Sequence, residues 1–174
     1  MRARNKKTAA EILRRYSRGD KDFKNIIVEA NDLSKKRLVG INFEGATLMG
    51  CNFENSNLKG ASFSAANLRE ANFKGADLSK ANLKGADLRG AIMRAVNLSG
   101  ADLRWANLEG VNLAGSNISG ANFDGTNLKN ANLKGTDPGK LWWKANLDEA
   151  RLDGTILPDG TVFGQAGATT PQTE

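Results

Sequence analysis

The amino-acid sequence predicts an all-β solenoid, a four-sided right-handed coil that a short α-helix closes at its N-terminal end. Three observations predict it. A period of five runs through most of the 174-residue chain, and one position of that period is almost always a large apolar residue. Within this period, phenylalanines recur at every fourth repeat. A fixed short period is typical of repeat proteins, in which each unit is stable only when stacked on its neighbours.

The repeat is clearest over residues 61–133, which begin ASFSA ANLRE ANFKG ADLSK ANLKG. Each block has a small residue first, usually Asn or Asp second, Leu or Phe third, a polar residue fourth and often Gly fifth. The third positions step by five from Phe23 to Leu133, which gives 23 repeats. From Phe43 onward, all 19 third positions are Phe, Leu, Met or Ile.

A period of five excludes a continuous helix or a straight strand. A helix with about 3.6 residues per turn would spread the third positions around all of its sides. A straight strand would place alternate third positions on opposite faces. The chain can keep them all inside only by turning once per repeat, and Gly at the fifth position tolerates the positive φ of such a turn. Asn or Asp at the second position can hydrogen-bond to the nearby backbone.

Four repeats complete each coil. When the third positions are sorted by every fourth repeat, one column holds Phe23, Phe43, Phe63 and Phe123, and another holds Phe53 and Phe73. We therefore expect Phe to stack on Phe, with about 4.8 Å between coils. The small first positions should line the interior that the larger side chains fill. The predicted core includes Phe43, Phe53, Phe63, Phe73, Leu68, Leu78, Leu88, Leu98 and Leu108.

The N-terminal region is predicted to be an unstructured basic segment over residues 1–7 and a capping helix over residues 8–19. Thr8 and Glu11 have the spacing of a capping box, in which each side chain satisfies a free backbone N–H. Ile12, Leu13 and Tyr16 fall on one face of this helix. Because a helix of two or three turns is not stable alone, this face should pack on the first coil.

The repeat array is predicted over residues 20–163, with an irregular loop at 136–144 and a disordered tail over 164–174. Pro138 stands where a Leu is expected. The register resumes at Leu147, one position earlier than steps of five from Leu133 would place it, which indicates the loss of one residue. The open end of the last coil needs a cover, for which the candidates are Leu141, Trp142, Trp143, Val162 and Phe163.

The A(N/D)LxG blocks resemble those of the pentapeptide-repeat family over residues 21–160, about four-fifths of the chain. The resemblance implies a right-handed quadrilateral β-helix with four pentapeptides per coil. The N-terminal AEILRRYSRGDKDF is similar to a helical cap of cyanobacterial members, so the chain is identified as a cyanobacterial-type member. Known members include a cyanobacterial modulator of heterocyst development and DNA mimics that inhibit or protect type II topoisomerases.

No catalytic, metal or cofactor site and no small-molecule substrate is predicted. The chain has no His, and the single Cys51 occupies an inward first position, where we expect it to be buried and inert. Asp residues at second positions belong to the repeat pattern. The sequence has no apolar run long enough to cross a membrane and no recognisable secretion signal. We therefore expect a cytoplasmic protein, and we favour a monomer over an end-to-end dimer.

Trp105, which replaces Gly at a fifth position, is the main candidate for protein interaction. An exposed Trp flanked by cations is typical of a binding hot spot. We favour the interpretation in which Trp105 instead folds flat over Gly85 and Gly125, and arginine stems cover it. The stacked columns place four cations nearby, namely Lys84, Arg104, Arg69 and Arg89.

Trp142 and Trp143 allow the same two interpretations, as an interface or as the cover of the last coil. Met49, a large apolar residue at an outward fourth position, is a further departure from the pattern.

The leading functional hypothesis is a non-enzymatic scaffold that acts through an unidentified protein partner, with a regulatory role. The alternative is a DNA-mimic modulator of a type II topoisomerase such as gyrase. Mimicry needs a dense negative surface, and residues 21–157 carry a net charge of +3, which disfavours it. A third hypothesis is nucleic-acid binding through residues 1–20, whose net charge is +5. It is disfavoured because a short basic segment is more often only solvated.

Overall fold

The computed structural model describes residues 6–137 and 150–164, which form one helix followed by a stack of regular coils. Helix α1 spans Ala9–Tyr16, inside the predicted segment 8–19. Its N-cap is Thr8, whose hydroxyl accepts the N–H of Glu11 at 3.2 Å, as the capping signature predicts. The helix ends at Tyr16 with Ser17 as its C-cap, and Gly19 beyond it takes a positive φ of 89°.

Every regular coil consists of four pentapeptides. Parallel bridges join second-position residues that lie four repeats apart, from Asp22 with Asn42 to Asn117 with Asp137. This spacing matches the column step of the sequence. We name the four sides by their third-position residues: face A carries the column of Phe43 and Phe63, and faces B, C and D follow it along the chain. The columns of faces A, B, C and D begin at Phe23, Val28, Leu33 and Leu38, respectively.

Hydrogen bonds between coils satisfy the backbone at each repeat. On face A, the N–H of Phe43 donates to Ser62 O in the next coil at 2.7 Å. The N–H of Asn42 donates to Lys21 O in the preceding coil at 2.8 Å. Because these bonds join different coils, a single isolated coil would leave its backbone groups unpaired, and stability comes from the stack.

The corners are β-turns with one shared geometry. In most repeats the first-position N–H bonds back to the preceding third-position carbonyl, as Ala46 does to Phe43 at 3.0 Å. Every fifth position from Asn25 to Gly135 has a positive φ, whether or not it is Gly. A positive φ at the third residue of the turn is the mark of a type II turn. Asn42 Oδ1 accepts the N–H of Glu44 at 3.0 Å, which is the local role predicted for second positions.

The interior holds phenylalanine columns in the predicted register. Phe53 and Phe73 stack on face C with centroids 5.0 Å apart, and Phe43 and Phe63 stack on face A at 5.6 Å. Rings from the two opposite faces meet edge to face, as Phe53 and Phe63 do at 5.9 Å. Full burial is observed for all of the core residues named above: Phe43, Phe53, Phe63, Phe73, Leu68, Leu78, Leu88, Leu98 and Leu108.

Helix α1 covers the first coil. Ile12 is fully buried, and Leu13 and Tyr16 pack against the core. The Tyr16 hydroxyl donates to Val39 O at 2.9 Å, and the Arg15 guanidinium lies 4.6 Å from the centre of the Phe23 ring. These contacts hold the helix across the end of the solenoid.

The residues just before the helix are more ordered than the sequence suggests. Lys6 forms a parallel bridge with Ile27, and the N–H of Lys7 donates to Ile27 O at 2.8 Å. The prediction of an unstructured segment over residues 1–7 is therefore wrong for these two residues, because the free edge of the first coil offers them backbone partners. Residues 1–5 lie outside the described part.

The register change near the C-terminal end is an insertion. Asn127 pairs with Arg151 and Asn132 pairs with Ile156, and each of these steps is four residues longer than the step from Asn107 to Asn127. The inference of one lost residue is wrong: Leu152 follows Leu128 by one coil, and four extra residues lie between them. Counted in steps of five, these four extra residues look like one further repeat that lacks a residue.

The first two residues of the predicted loop at 136–144 belong to the regular coil. Thr136 and Asp137 keep the regular pattern, and the N–H of Asp137 donates to Ser116 O at 2.8 Å. Pro138 and Leu147, with the rest of residues 138–149, lie outside the described part.

A short antiparallel pairing closes the described C-terminal coil. Ile156 bridges Val162, and the N–H of Phe163 donates to Thr155 O at 2.8 Å. Val162 and Phe163 are half-buried, while the other candidates for the cover, Leu141, Trp142 and Trp143, lie outside the described part, as does the tail over 165–174. Within the described ranges, no helix is long and apolar enough to cross a membrane.

Candidate functional site

Trp105 lies at the corner where face A turns into face B. Its φ is 61°, and its N–H donates to Asp124 O in the next coil at 3.0 Å. The indole lies directly on Gly125, where even a Cβ would overlap it, whereas the space beside Gly85 is open. Trp105 therefore covers one of the two glycines that the flat interpretation named. It is still 55% exposed, so one ring face is accessible.

Side chains at fifth positions lean towards the following coil, and the sequence accommodates this. Asn25 overlies Gly45, Asn55 overlies Gly75, and Glu70 contacts Gly90. Trp105 over Gly125 is the largest case of this arrangement. At these positions Gly suits the positive φ and leaves the space that the side chain of the preceding coil occupies.

Gly125→Ala should destabilise the protein more than Gly115→Ala. Both glycines have a positive φ, 63° and 70°, which costs an L-residue about 1 kcal/mol. Only the Cβ at position 125 would meet a neighbour, the Trp105 indole, while nothing lies within 4 Å at position 115. Urea unfolding of both variants measures the difference. In a Trp105→Gly background the two costs should become equal, and a persistent difference would contradict the stacking.

Two of the four predicted cations form ion pairs within their own repeats. Arg104 donates two hydrogen bonds of 2.9 and 2.6 Å to the carboxylate of Asp102, and Arg89 donates two of the same lengths to Asp87. The hydrogen bonds that the arginines donate to the carboxylates lower the pKa of both aspartates and raise the pKa of both arginines. Two of the four cations are therefore neutralised, and the surface around Trp105 is less cationic than the sequence suggests.

The four cations are divided between two corners. Lys84 and Arg104 occupy fourth positions on face A in consecutive coils, at the corner that Trp105 shares. Arg69 and Arg89 occupy fourth positions on face B, at the following corner. The structure thus groups Trp105 with Lys84 and Arg104, and places the other two arginines across face B.

Two further residues that depart from the repeat pattern, Met49 and Ile92, are exposed apolar side chains. Met49 is 38% exposed on face B, as its outward position indicates. Ile92 is 47% exposed at a second position of face C, where Asn or Asp is usual. Ile92 is not among the predicted site residues, although an apolar residue at a second position is a departure that the sequence already shows. Trp142 and Trp143 lie outside the described residues.

The described residues offer little to a catalytic or metal site. Cys51 is fully buried, its thiol donates to Val28 O at 3.0 Å, and burial raises the pKa of that thiol. Asp77 accepts the N–H of Ser79 at 2.9 Å, which is the structural role of second positions. Across residues 6–137 and 150–164, no group of three Cys, Asp or Glu side chains could hold a metal ion.

A model of pentapeptide repeats matches residues 32–64, 56–94 and 97–135, which together make up more than half of the chain. The chain belongs to the pentapeptide repeat family. No curated protein matches it. As a pentapeptide repeat protein it has the four-repeat coils and turn geometry described above, and the sequence resemblance to this family is confirmed.

Several solved structures are similar to this pentapeptide repeat protein. Rfr23 from the cyanobacterium Cyanothece 51142 is 25% identical over 83% of this chain and 99% of its own, with a TM-score of 0.45. HetL from Nostoc sp. strain PCC 7120, involved in heterocyst differentiation regulation, is 25% identical over 90% and 99%, with a TM-score of 0.23. QnrB1, a plasmid-mediated fluoroquinolone resistance protein, is 21% identical over 75% and 83%, with a TM-score of 0.35.

Proposed function

We propose that this protein is a non-enzymatic scaffold, a right-handed quadrilateral β-helix that binds a protein partner through the corner around Trp105. The observation that carries the proposal is the 55% exposure of Trp105 on a regularly hydrogen-bonded frame. Trp is enriched in binding hot spots because it contributes a large contact area. A rigid frame lowers the entropy cost of binding, since little has to be ordered on association.

The surroundings of Trp105 suit this role. Gly125 supports one face of the indole and fixes its orientation, so the other face forms a flat apolar platform. Beside it, the paired Arg104 and Asp102 and the ammonium of Lys84 provide a polar rim. An apolar centre with a polar rim is the usual arrangement of a protein interface. The covering of Gly125 and the binding of a partner are therefore compatible.

Trp105→Gly should abolish capture of the partner without unfolding the protein. Gly is the usual fifth-position residue, and it tolerates the φ of 61° at this corner. Affinity purification from the native host with wild type and variant, followed by mass spectrometry, measures the effect, with an expected loss of at least about tenfold. Met49→Ala, which removes another exposed apolar side chain, is the control. An unchanged set of captured proteins with Trp105→Gly would overturn the assignment.

No observation favours the DNA-mimic or the nucleic-acid hypothesis. Asp87 and Asp102 are neutralised by arginines of their own repeats, which works against the dense negative surface that mimicry requires. In the N-terminal segment, Lys7 pairs with Glu11 at 2.9 Å and Lys6 lies 4.0 Å from Glu29. We also propose that the protein is cytoplasmic and that it is a monomer; the helix and the antiparallel pairing that cover the two ends of the described stack support the monomer.

A further inference from the structure

An open groove of about 520 Å³ lies on face C, on the opposite side of the coil from face A. The groove arises because the fourth-position side chains of successive coils on that face differ in length. Lys74, Arg94 and Lys134 carry long side chains there, while Ala114 between the last two has only a methyl group. Gly115 beside it leaves open space. Since Arg94 and Lys134 are two coils apart, about 10 Å separates their backbones across this gap.

The groove is uniformly basic. Among residues 6–137 and 150–164, its charged lining residues are Lys74, Arg94 and Lys134, and no carboxylate of these ranges lines it. Lys74 contacts Glu54 at 3.5 Å with a 61% exposed side chain. Arg94 and Lys134 form no ion pair with any residue of the described ranges, unlike the arginines near Trp105. These two cations therefore flank a gap that is wide enough for an anionic group.

An exposed apolar side chain adjoins these cations. Ile92 belongs to the same repeat as Arg94, two residues before it, and is 47% exposed. Its bridge partners on either side are Asn72 and Asn112, so it stands as an isolated apolar spot in a polar row. A ligand that used the whole surface would carry negative charge and an apolar group close together.

We propose that this groove binds an acidic peptide segment of a partner protein. A carboxylate of the peptide occupies the gap over Ala114, between Arg94 and Lys134, and an apolar side chain of the peptide packs on Ile92. Charge-assisted hydrogen bonds to carboxylates are strong, and Arg presents several donors to them. This inference rests on the proposed function as an interaction scaffold, and it adds a second surface on the opposite face from Trp105.

Ala114→Glu should weaken binding of an acidic peptide by about tenfold or more, because it fills the gap and introduces a like charge. The probe is a short, end-capped, fluorescently labelled peptide of alternating glutamate and leucine, measured by fluorescence polarisation with purified protein. The fold should persist, since Glu44, Glu54 and Glu109 already occupy fourth positions. The control is Ser119→Glu, which makes the same charge change at a fourth position of the same coil on face D, and it should leave binding unchanged.

Ile92→Ser provides a second readout. It should weaken the glutamate–leucine peptide but leave a glutamate–serine peptide unaffected. The proposal of a peptide-binding groove would be overturned if Ala114→Glu and Ser119→Glu weakened peptide binding equally, or if the wild type did not bind the peptide. Tighter binding of a labelled single-stranded DNA oligonucleotide than of the peptide would also overturn it. If the wild type does not bind the peptide but still captures a partner through Trp105, only the proposal of the groove is wrong. If Trp105-dependent capture is absent as well, the proposed scaffold function is also wrong.

Discussion

Replacing Phe63 by Asp is expected to abolish the fold. Phe63 is fully buried, with the rings of Phe43, Phe53 and Phe73 at 5.6, 5.9 and 5.9 Å. Deleting a buried Phe side chain costs about 3–5 kcal/mol, and an unpaired charge in its place adds several more. A domain has a stability of about 5–15 kcal/mol in total. The variant should show no cooperative melt by circular dichroism at neutral pH.

The matched control for this prediction is Ser64→Asp at the neighbouring outward position. Asp124 already occupies the fourth position on the same face, so the control should melt as the wild type does. Phe63→Leu should fold with reduced stability, because Leu83 fills the same column one coil later. A wild-type melt for Phe63→Asp would refute the packing of the column.

Removing residues 1–19 is expected to promote end-to-end association of the protein. The deletion uncovers the first coil, where Ile12, Leu13 and Tyr16 now pack. Burial of Ile12 alone contributes about 1.5–3 kcal/mol. The deletion also frees the backbone edge at Ile27, which accepts a hydrogen bond from Lys7 in the intact protein. An apolar end with an unpaired edge is a template for pairing with another chain.

Size-exclusion chromatography with light scattering measures this association, and thermal unfolding measures the lost stability. Removal of residues 1–5 alone is the control, because it leaves the bridge at Lys6 and helix α1 in place. A monomer with unchanged melting temperature after the longer deletion would show that α1 is not a cap.

Much of the interior was predictable because the repeat is local and regular. The step of four repeats per coil followed from the positions of Phe43, Phe63, Phe53 and Phe73 alone, and the bridges show the same step. The inward Cys51 was predicted correctly, since its first position in the repeat fixes the direction of its side chain.

The exceptions were less predictable, since each depends on a neighbour that the repeat does not specify. The pairing of Arg104 with Asp102 requires a side-chain rotamer that turns back on its own repeat. The bridge at Lys6 depends on the unfilled edge of the first coil. The groove at Ala114 becomes visible only when the fourth positions of successive coils are read as one column.

The sequence by itself determined the coil, the turns and the core, because a period of five allows only a chain that turns once per repeat and buries every third position. The tertiary structure decided the rest. It placed the indole of Trp105 on Gly125, and it resolved the break before Arg151 as an insertion of four residues. It also placed Arg94 and Lys134 on either side of a gap. The physical reason is that backbone geometry follows from the repeat, whereas surface contacts depend on which side chains stacking brings together.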